Sequence, residues 1–129
     1  MSDTNDISIT GSQSTPSVTG NWVQGLLQMK GDSYPENSFE FFGPIIDWLE
    51  RFLQNPPTSL LRLELHLVYM NTSSVKAMMD IFDLLEDAYK QGKQVRVDWY
   101  YDPRNERVVD LADEFREDCS FPFQIAADA

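Results

Sequence analysis

The fold that this sequence predicts is α/β: a single domain with a mixed β-sheet and helices mainly on one face. Three observations carry that expectation. Between Leu60 and Tyr101, two runs of alternating apolar and polar residues flank one helical run, giving a strand, helix, strand unit. A connection of that length is a crossover, so the two strands are expected to be parallel and the unit right-handed. Both strands also place charge on one parity, so helices are expected on one face of the sheet, with the other partly solvated.

Composition narrows the classes. With 129 residues the chain is one domain's length, able to bury about 65–70% of its unfolded surface. Its 42% hydrophobic content, with three Trp, five Tyr and eight Phe, describes a globular protein. Twenty-one acids against ten bases give a charge of −11, which repels phosphate backbones and anionic membranes and excludes nucleic acid as a partner. No apolar run reaches the ~18 residues of a membrane span, and Ser2-Asp3-Thr4-Asn5-Asp6 lacks the basic-then-apolar order of a secretion signal. A cytoplasmic protein without membrane insertion is expected. The lone Cys119 rules out an internal disulfide and reads as a small packed residue.

The domain is expected to span 1–129, with 1–6 flexible, 7–30 forming antiparallel strands and 31–129 the α/β part. Ile7 to Thr10 alternates as a short strand before a Gly/Ser/Thr/Pro-rich turn region in which Thr15 reads as a turn residue. A strand over Ser17 to Thr19, a turn at Gly20-Asn21 and a strand over Val23 to Met29, weakened at Gly25, complete a small meander. Gly31 to Asn37 reads as loop, with Asn37 or Ser38 as the cap of the next helix.

Phe41, Phe42, Ile45, Ile46, Trp48, Leu49, Phe52 and Leu53 give that helix a broad apolar face, and Asn55-Pro56-Pro57 should stop it after Leu53. Pro44 implies either a kink or a regular helix starting only there.

In the first strand of the strand, helix, strand unit, Leu61, Leu63, Leu65, Leu67 and Tyr69 share one parity, opposite Arg62, Glu64 and His66. Val75, Met78, Met79, Phe82, Leu85, Ala88 and Tyr89 then fall on one helix face, which Gln91-Gly92 terminates. Val95, Val97, Trp99 and Tyr101 form the second such strand, so Arg62, Glu64, His66, Arg96 and Asp98 should share the solvated face. Asp102-Pro103 starts a last helix with Val108, Leu111, Ala112 and Phe115 buried, and Phe121, Phe123 and Ile125 supply an edge strand that Pro122 tolerates.

Thr72, Ser73 and Ser74 stand where the central helix begins. A hydroxyl among them is expected to cap it. A helix start also favours negative charge, so a phosphate placed there would be held by unpaired N–H groups and the dipole, adding about −1.5 to −2 charges at one spot. A switch is the sharper reading of the cluster.

Enzyme chemistry finds little support. His66 is the only histidine, and although Asp98 completes a Ser-His-Asp count, there is no Gly-x-Ser-x-Gly elbow, so a histidine facing solvent on a sheet is the better reading. No EF-hand spacing, His pair or phosphate-cradling Gly-rich loop appears. No catalytic residue, metal site or cofactor is assigned.

The order of strand, hydroxyl-bearing loop, helix, strand and helix after a small antiparallel part is that of the anti-sigma-factor antagonist (STAS) fold. From Gly31-Asp32-Ser33-Tyr34-Pro35-Glu36-Asn37-Ser38 onward, the chain resembles the SiaC family of bacterial regulatory phosphoproteins. The likeness continues through Asn71-Thr72-Ser73-Ser74, Lys76-Ala77-Met78-Met79-Asp80, Tyr101-Asp102-Pro103-Arg104-Asn105-Glu106 and Phe115 to Phe123, with Pro44 a departure from the pattern.

The resemblance implies a STAS-like fold and a non-enzymatic adaptor phosphorylated at Thr72 by a SiaB-type kinase and dephosphorylated by a SiaA-type PP2C phosphatase. In its unmodified form such an adaptor binds and activates a SiaD-type diguanylate cyclase, raising cyclic di-GMP and favouring aggregation and biofilm formation. Asn71, Thr72, Ser73, Ser74 and Lys76 form the expected contact rim. Two rival functions are an antagonist acting on an anti-sigma factor and, less favoured, a small hydrolase using His66.

Overall fold

The computed structural model describes residues 6–127 apart from 55, 57 and 58. In chain order it contains β1 (Ile7–Ile9), β2 (Ser17–Asn21), β3 (Leu26–Ser33), α1 (Ser38–Gln54), β4 (Leu60–Met70), α2 (Thr72–Lys90), β5 (Gln94–Tyr101), α3 (Glu106–Glu117) and β6 (Phe123–Ala127). The six strands form one sheet in chain order, antiparallel from β1 to β3 and parallel from β3 to β6. The expected mixed sheet and parallel crossover are both present.

Register explains the layering. Val18, Met29, Leu65, Trp99 and Ile125 lie in one row across the sheet, beside the row Gly20, Leu27, Leu63, Val97 and Phe123. These rows join the core with Ile45, Trp48, Leu49 and Phe52 of α1, Met78, Ile81, Phe82 and Leu85 of α2, and Val108, Ala112 and Phe115 of α3. Three successive crossovers between adjacent parallel strands, with one hand expected of all of them, put all three helices on this side. The row between them, Thr19, Gln28, Glu64, Asp98 and Gln124, faces the other way and is tied laterally. Gln28 Nε2 donates to Glu64 at 2.8 Å, and Arg96 donates to both Asp98 oxygens and to Gln124. Arg96 and its neighbours cover Asp98 so closely that it is only 6% exposed, the one member of the expected solvated set to be buried.

Several boundaries differ from the sequence reading. β2 continues through Gly20-Asn21, and the turn falls at Trp22 to Gly25, where Gly25 takes φ 65° and its N–H bonds the Trp22 carbonyl at 3.3 Å. Gly20 is a close-approach residue instead: a Cβ there would stand 2.5 Å from Ile7 Cγ2 and 3.1 Å from the Trp48 ring. β3 runs on to Ser33 with a register shift between Gly31 and Ser33, so the 30/31 boundary lies within a strand that belongs to both halves of the sheet. Of the expected flexible stretch 1–6, residues 1–5 lie outside the described residues, as do 55 and 57 of the Asn55-Pro56-Pro57 stop.

α1 passes through Pro44 and starts at Ser38, with Asn37 as its cap: Asn37 Oδ1 accepts from the Glu40 N–H at 3.0 Å. Pro44 faces solvent, so the carbonyl it leaves unpaired is on the wet side, and Gly43 before it spares the ring a Cβ neighbour. On α2, Met79 and Tyr89 are exposed and Ile81 takes the buried place. Tyr69 is exposed because β4 outruns its pairing with β5, which ends at Leu65. α3 begins at Glu106, not at Asp102-Pro103, since the Asp102 carboxylate accepts from the Arg104 N–H and closes a turn first. Phe121 is buried but precedes β6, and Pro122 contributes its carbonyl to the Val97 N–H.

Candidate functional site

The central hydroxyl cluster lies at the C-terminal end of β4, the end of parallel strands where α/β proteins place their sites. Its cap is not a hydroxyl. Asn71, with extended backbone, accepts the Ser74 N–H on Oδ1 at 2.9 Å and the Ser73 hydroxyl at 3.2 Å. The reason is tertiary. Ser74 is fully buried and its hydroxyl pairs with that of Ser33 at 2.8 Å, while the Asn71 N–H donates to the Ser33 carbonyl at 3.0 Å. Ser73 bonds Ser38 at the start of α1. The end of β3, the start of α1 and the start of α2 are thereby fastened together.

Thr72 is left on the outside as the first residue of α2, exposed to solvent. Lys76, one turn on and also exposed, shares its helix face. The first turn of α2 carries no acidic residue, whereas α1 and α3 open with Glu40 and Glu106. In a chain of charge −11, this helix start keeps its N–H groups and dipole uncompensated by carboxylates.

Of the expected rim, Asn71, Thr72, Ser73 and Lys76 are brought together at the surface. Ser74 is not: burial against Ser33 withholds its side chain from any partner. The sequence reading missed a cluster of exposed apolar residues at the same end. Tyr34 and Tyr69 meet edge to face at 5.8 Å, Val68 is half exposed, and Phe39 on the first turn of α1 is 91% exposed. Their position just after β3, late in β4 and at a helix start is the signal that marks them, because the helical layer does not reach there.

The loop from β5 to α3 closes the other flank. Asn105 Nδ2 donates to the Val68 carbonyl at 2.8 Å, and the Arg104 guanidinium holds Asp102 down at a pKa of about 2. The hydrolase constellation is not assembled as a triad: the Asp98 carboxylate is engaged by Arg96, and the His66 ring stacks on Tyr100 at 4.9 Å. Among the described residues, no three His, Cys, Asp or Glu side chains gather as a metal site, and no helix is long and apolar enough to cross a membrane.

Comparison with known proteins places this geometry. Residues 9–128 match the family model described as SiaC family regulatory phosphoprotein. An uncharacterised protein of Pseudomonas aeruginosa strain UCBPP-PA14 is 61% identical over 122 residues, covering 95% of this chain and 96% of that one. The crystal structure of apo-SiaC from Pseudomonas aeruginosa is 59% identical with a TM-score of 0.90, covering 95% of this chain and 98% of that chain. A second crystal structure, of the diguanylate cyclase SiaD in complex with its activator SiaC from Pseudomonas aeruginosa, matches at 60% identity and TM-score 0.91, covering 95% of this chain and all of that one. The mixed sheet and the one-sided helices are thus those of a known lineage: the chain belongs to the SiaC family of regulatory phosphoproteins.

Proposed function

We propose that this protein is a phosphorylation-switched adaptor whose unmodified form binds and activates a SiaD-type diguanylate cyclase, with Thr72 as the switch. A SiaB-type kinase adds the phosphate, a SiaA-type PP2C phosphatase removes it, and the output is cyclic di-GMP, aggregation and biofilm formation. The protein works in the cytoplasm and is not itself an enzyme. Its relative's pairing with a cyclase supports the partner class.

The observation that carries the site is the contrast between three neighbours. Ser74 is buried and bonded to Ser33, Ser73 is exposed but bonded to Ser38 and Asn71, and Thr72, exposed in the first turn beside Lys76, is the one of the three whose side chain has no hydrogen bond among the described residues. A phosphate on Thr72 meets free N–H groups, the positive end of α2 and an ammonium one turn away, so the fold tolerates it. A partner seated on Tyr34, Val68 and Tyr69 would have to desolvate the dianion, at a cost of several kcal/mol. Asn71, Thr72, Ser73 and Lys76 form the proposed rim, with Ser74 ordering it from beneath.

The test is labelling by the cognate kinase followed by phosphopeptide mapping. Label on Thr72, lost in Thr72→Ala while cyclase binding persists, is the expected result; label on Ser73 overturns the site assignment.

A further inference from the structure

The sheet ends on β6, and no strand among the described residues lies along its outer side. The Val97 N–H donates to the Pro122 carbonyl at 3.0 Å, in a parallel register that sets Val97 beside Phe123 and Trp99 beside Ile125. In such a ladder alternate residues turn their backbone toward the neighbour. Gln124 and Ala126 therefore serve β5, while Phe123, Ile125 and Ala127 aim their N–H and C=O groups outward, as a template for another strand.

Proteins guard such edges with charge, a bulge or brevity. The opposite edge, β1, has three residues. β6 has five, Phe123-Gln124-Ile125-Ala126-Ala127, with no charge among them and no break in register with β5. In a chain where 24% of residues are charged, that omission marks the edge as one meant to pair. The core agrees. Phe123 stacks on Trp99 at 6.4 Å, yet it and Ile125 stay half-buried, because the helical layer does not close over them.

From these we infer that β6 pairs antiparallel with β6 of a second copy, about a dyad at Ile125, so that two sheets become one. The strand is complementary to itself in that register. Ile125 meets its own counterpart, Phe123 lies opposite Ala127 and Gln124 opposite Ala126, so each large side chain faces a small one. Pairing β6 with β1 would run head to tail and never close, whereas the dyad closes at two. The seam is backbone and apolar surface, but each copy carries a charge of −11, so the two repel at long range. Salt screens that repulsion and should strengthen the pair. Thr72, at the end of β4, lies two strands in from the edge, roughly 10 Å. It stays open, and the dyad sends the two copies' switches to opposite ends of the joined sheet, giving an adaptor with two docking faces.

Sedimentation velocity on the full chain, from micromolar concentration to about 1 mM, is expected to show a monomer–dimer equilibrium whose dimer fraction rises with added salt. Amide exchange should slow at Phe123, Ile125 and Ala127 as the dimer fills and stay unchanged at Ile7 to Ile9. Ile125→Lys sets like charges across the dyad, and Ala127→Pro removes an outward N–H while sparing the ladder to β5. Each should raise the dissociation constant at least tenfold with circular dichroism unchanged; if Ile125→Lys unfolds the chain, Ala127→Pro decides alone. A monomer at every concentration, a dimer that Ala127→Pro leaves intact, one that salt dissociates, or growth beyond two copies overturns the inference. So does a chain that stays monomeric and gains β6 protection only when a synthetic alternating apolar peptide is added, which assigns the edge to a foreign strand.

Discussion

The hydroxyls of Ser33, at the end of β3, and Ser74, in the first turn of α2, lie 2.8 Å apart and are both sealed from solvent. Each is the other's partner in a place water does not reach. Removing one strands the other, at a cost of about 1–3 kcal/mol for an unsatisfied buried group. Ser33→Ala and Ser74→Ala are therefore each expected to lower stability by that amount in urea unfolding. The double variant should lose less than the sum, because no orphaned hydroxyl remains.

Asn71 should behave as a cap and not merely as a rim residue. Its Oδ1 takes the Ser74 N–H, and Asn71→Ala is expected to cost ~1 kcal/mol. Asn71→Asp keeps the acceptor and should retain most of that stability. Hydrogen exchange at the Ser74 amide checks the assignment, rising in the alanine variant and staying protected in the aspartate one.

Pro44 is expected to be a net burden on α1. An interior proline costs about 3 kcal/mol in a helix, offset by ~1 kcal/mol because it restricts the unfolded chain. The residue faces solvent, so Pro44→Ala opens no cavity. A gain of about 2 kcal/mol in denaturant unfolding is the expected outcome.

Acid and alkali should weaken the protein through different groups. The Cys119 thiol is pushed up to about 11 from 9.0, first by burial and then by the carboxylates of Glu86, Asp118 and Asp83. Its folded value is the higher one, so its contribution is complete below pH 9.0 and disappears as pH rises through about 11. Alkylation of the native protein should follow a thiolate titration centred near 11, and Cys119→Ser should flatten the alkaline loss. Glu86 runs the opposite way: the Ser120 N–H, 2.7 Å away, holds its carboxyl below the ordinary 4.5. That contribution is present above 4.5 and is lost as pH falls below it, which Glu86→Gln should blunt.

Much of the architecture was legible because period and parity are local signals. The alternation of Leu61 to Leu67 and of Val95 to Trp99 gave the sheet its covered face, and the spacing of Met78, Phe82 and Leu85 gave α2 its buried stripe. What failed was settled across the fold. Gly20 and Gly25 are equally good turn residues in sequence, yet the Trp48 ring beneath Gly20 needs the missing Cβ and leaves the turn to Gly25. Asn71 and the three hydroxyls all suit a cap, yet Ser33 draws Ser74 inward and hands the role to Asn71. Around the candidate site, Thr72 was visible as a hydroxyl at a helix start, but the exposed aromatics were not: Tyr69 shares the parity of the buried leucines and so read as core, while Tyr34 in its loop and Phe39 at a helix start carry no periodic signal.

The sheet's order, each strand laid beside its predecessor from β1 to β6, bears on how the chain emerges from the ribosome. Synthesis delivers residues from the N-terminus at a rate slow enough for finished pieces to settle. Every newly released strand finds its neighbour already waiting, none has to be inserted between two others, and a nascent fragment shows only one unfinished margin at a time.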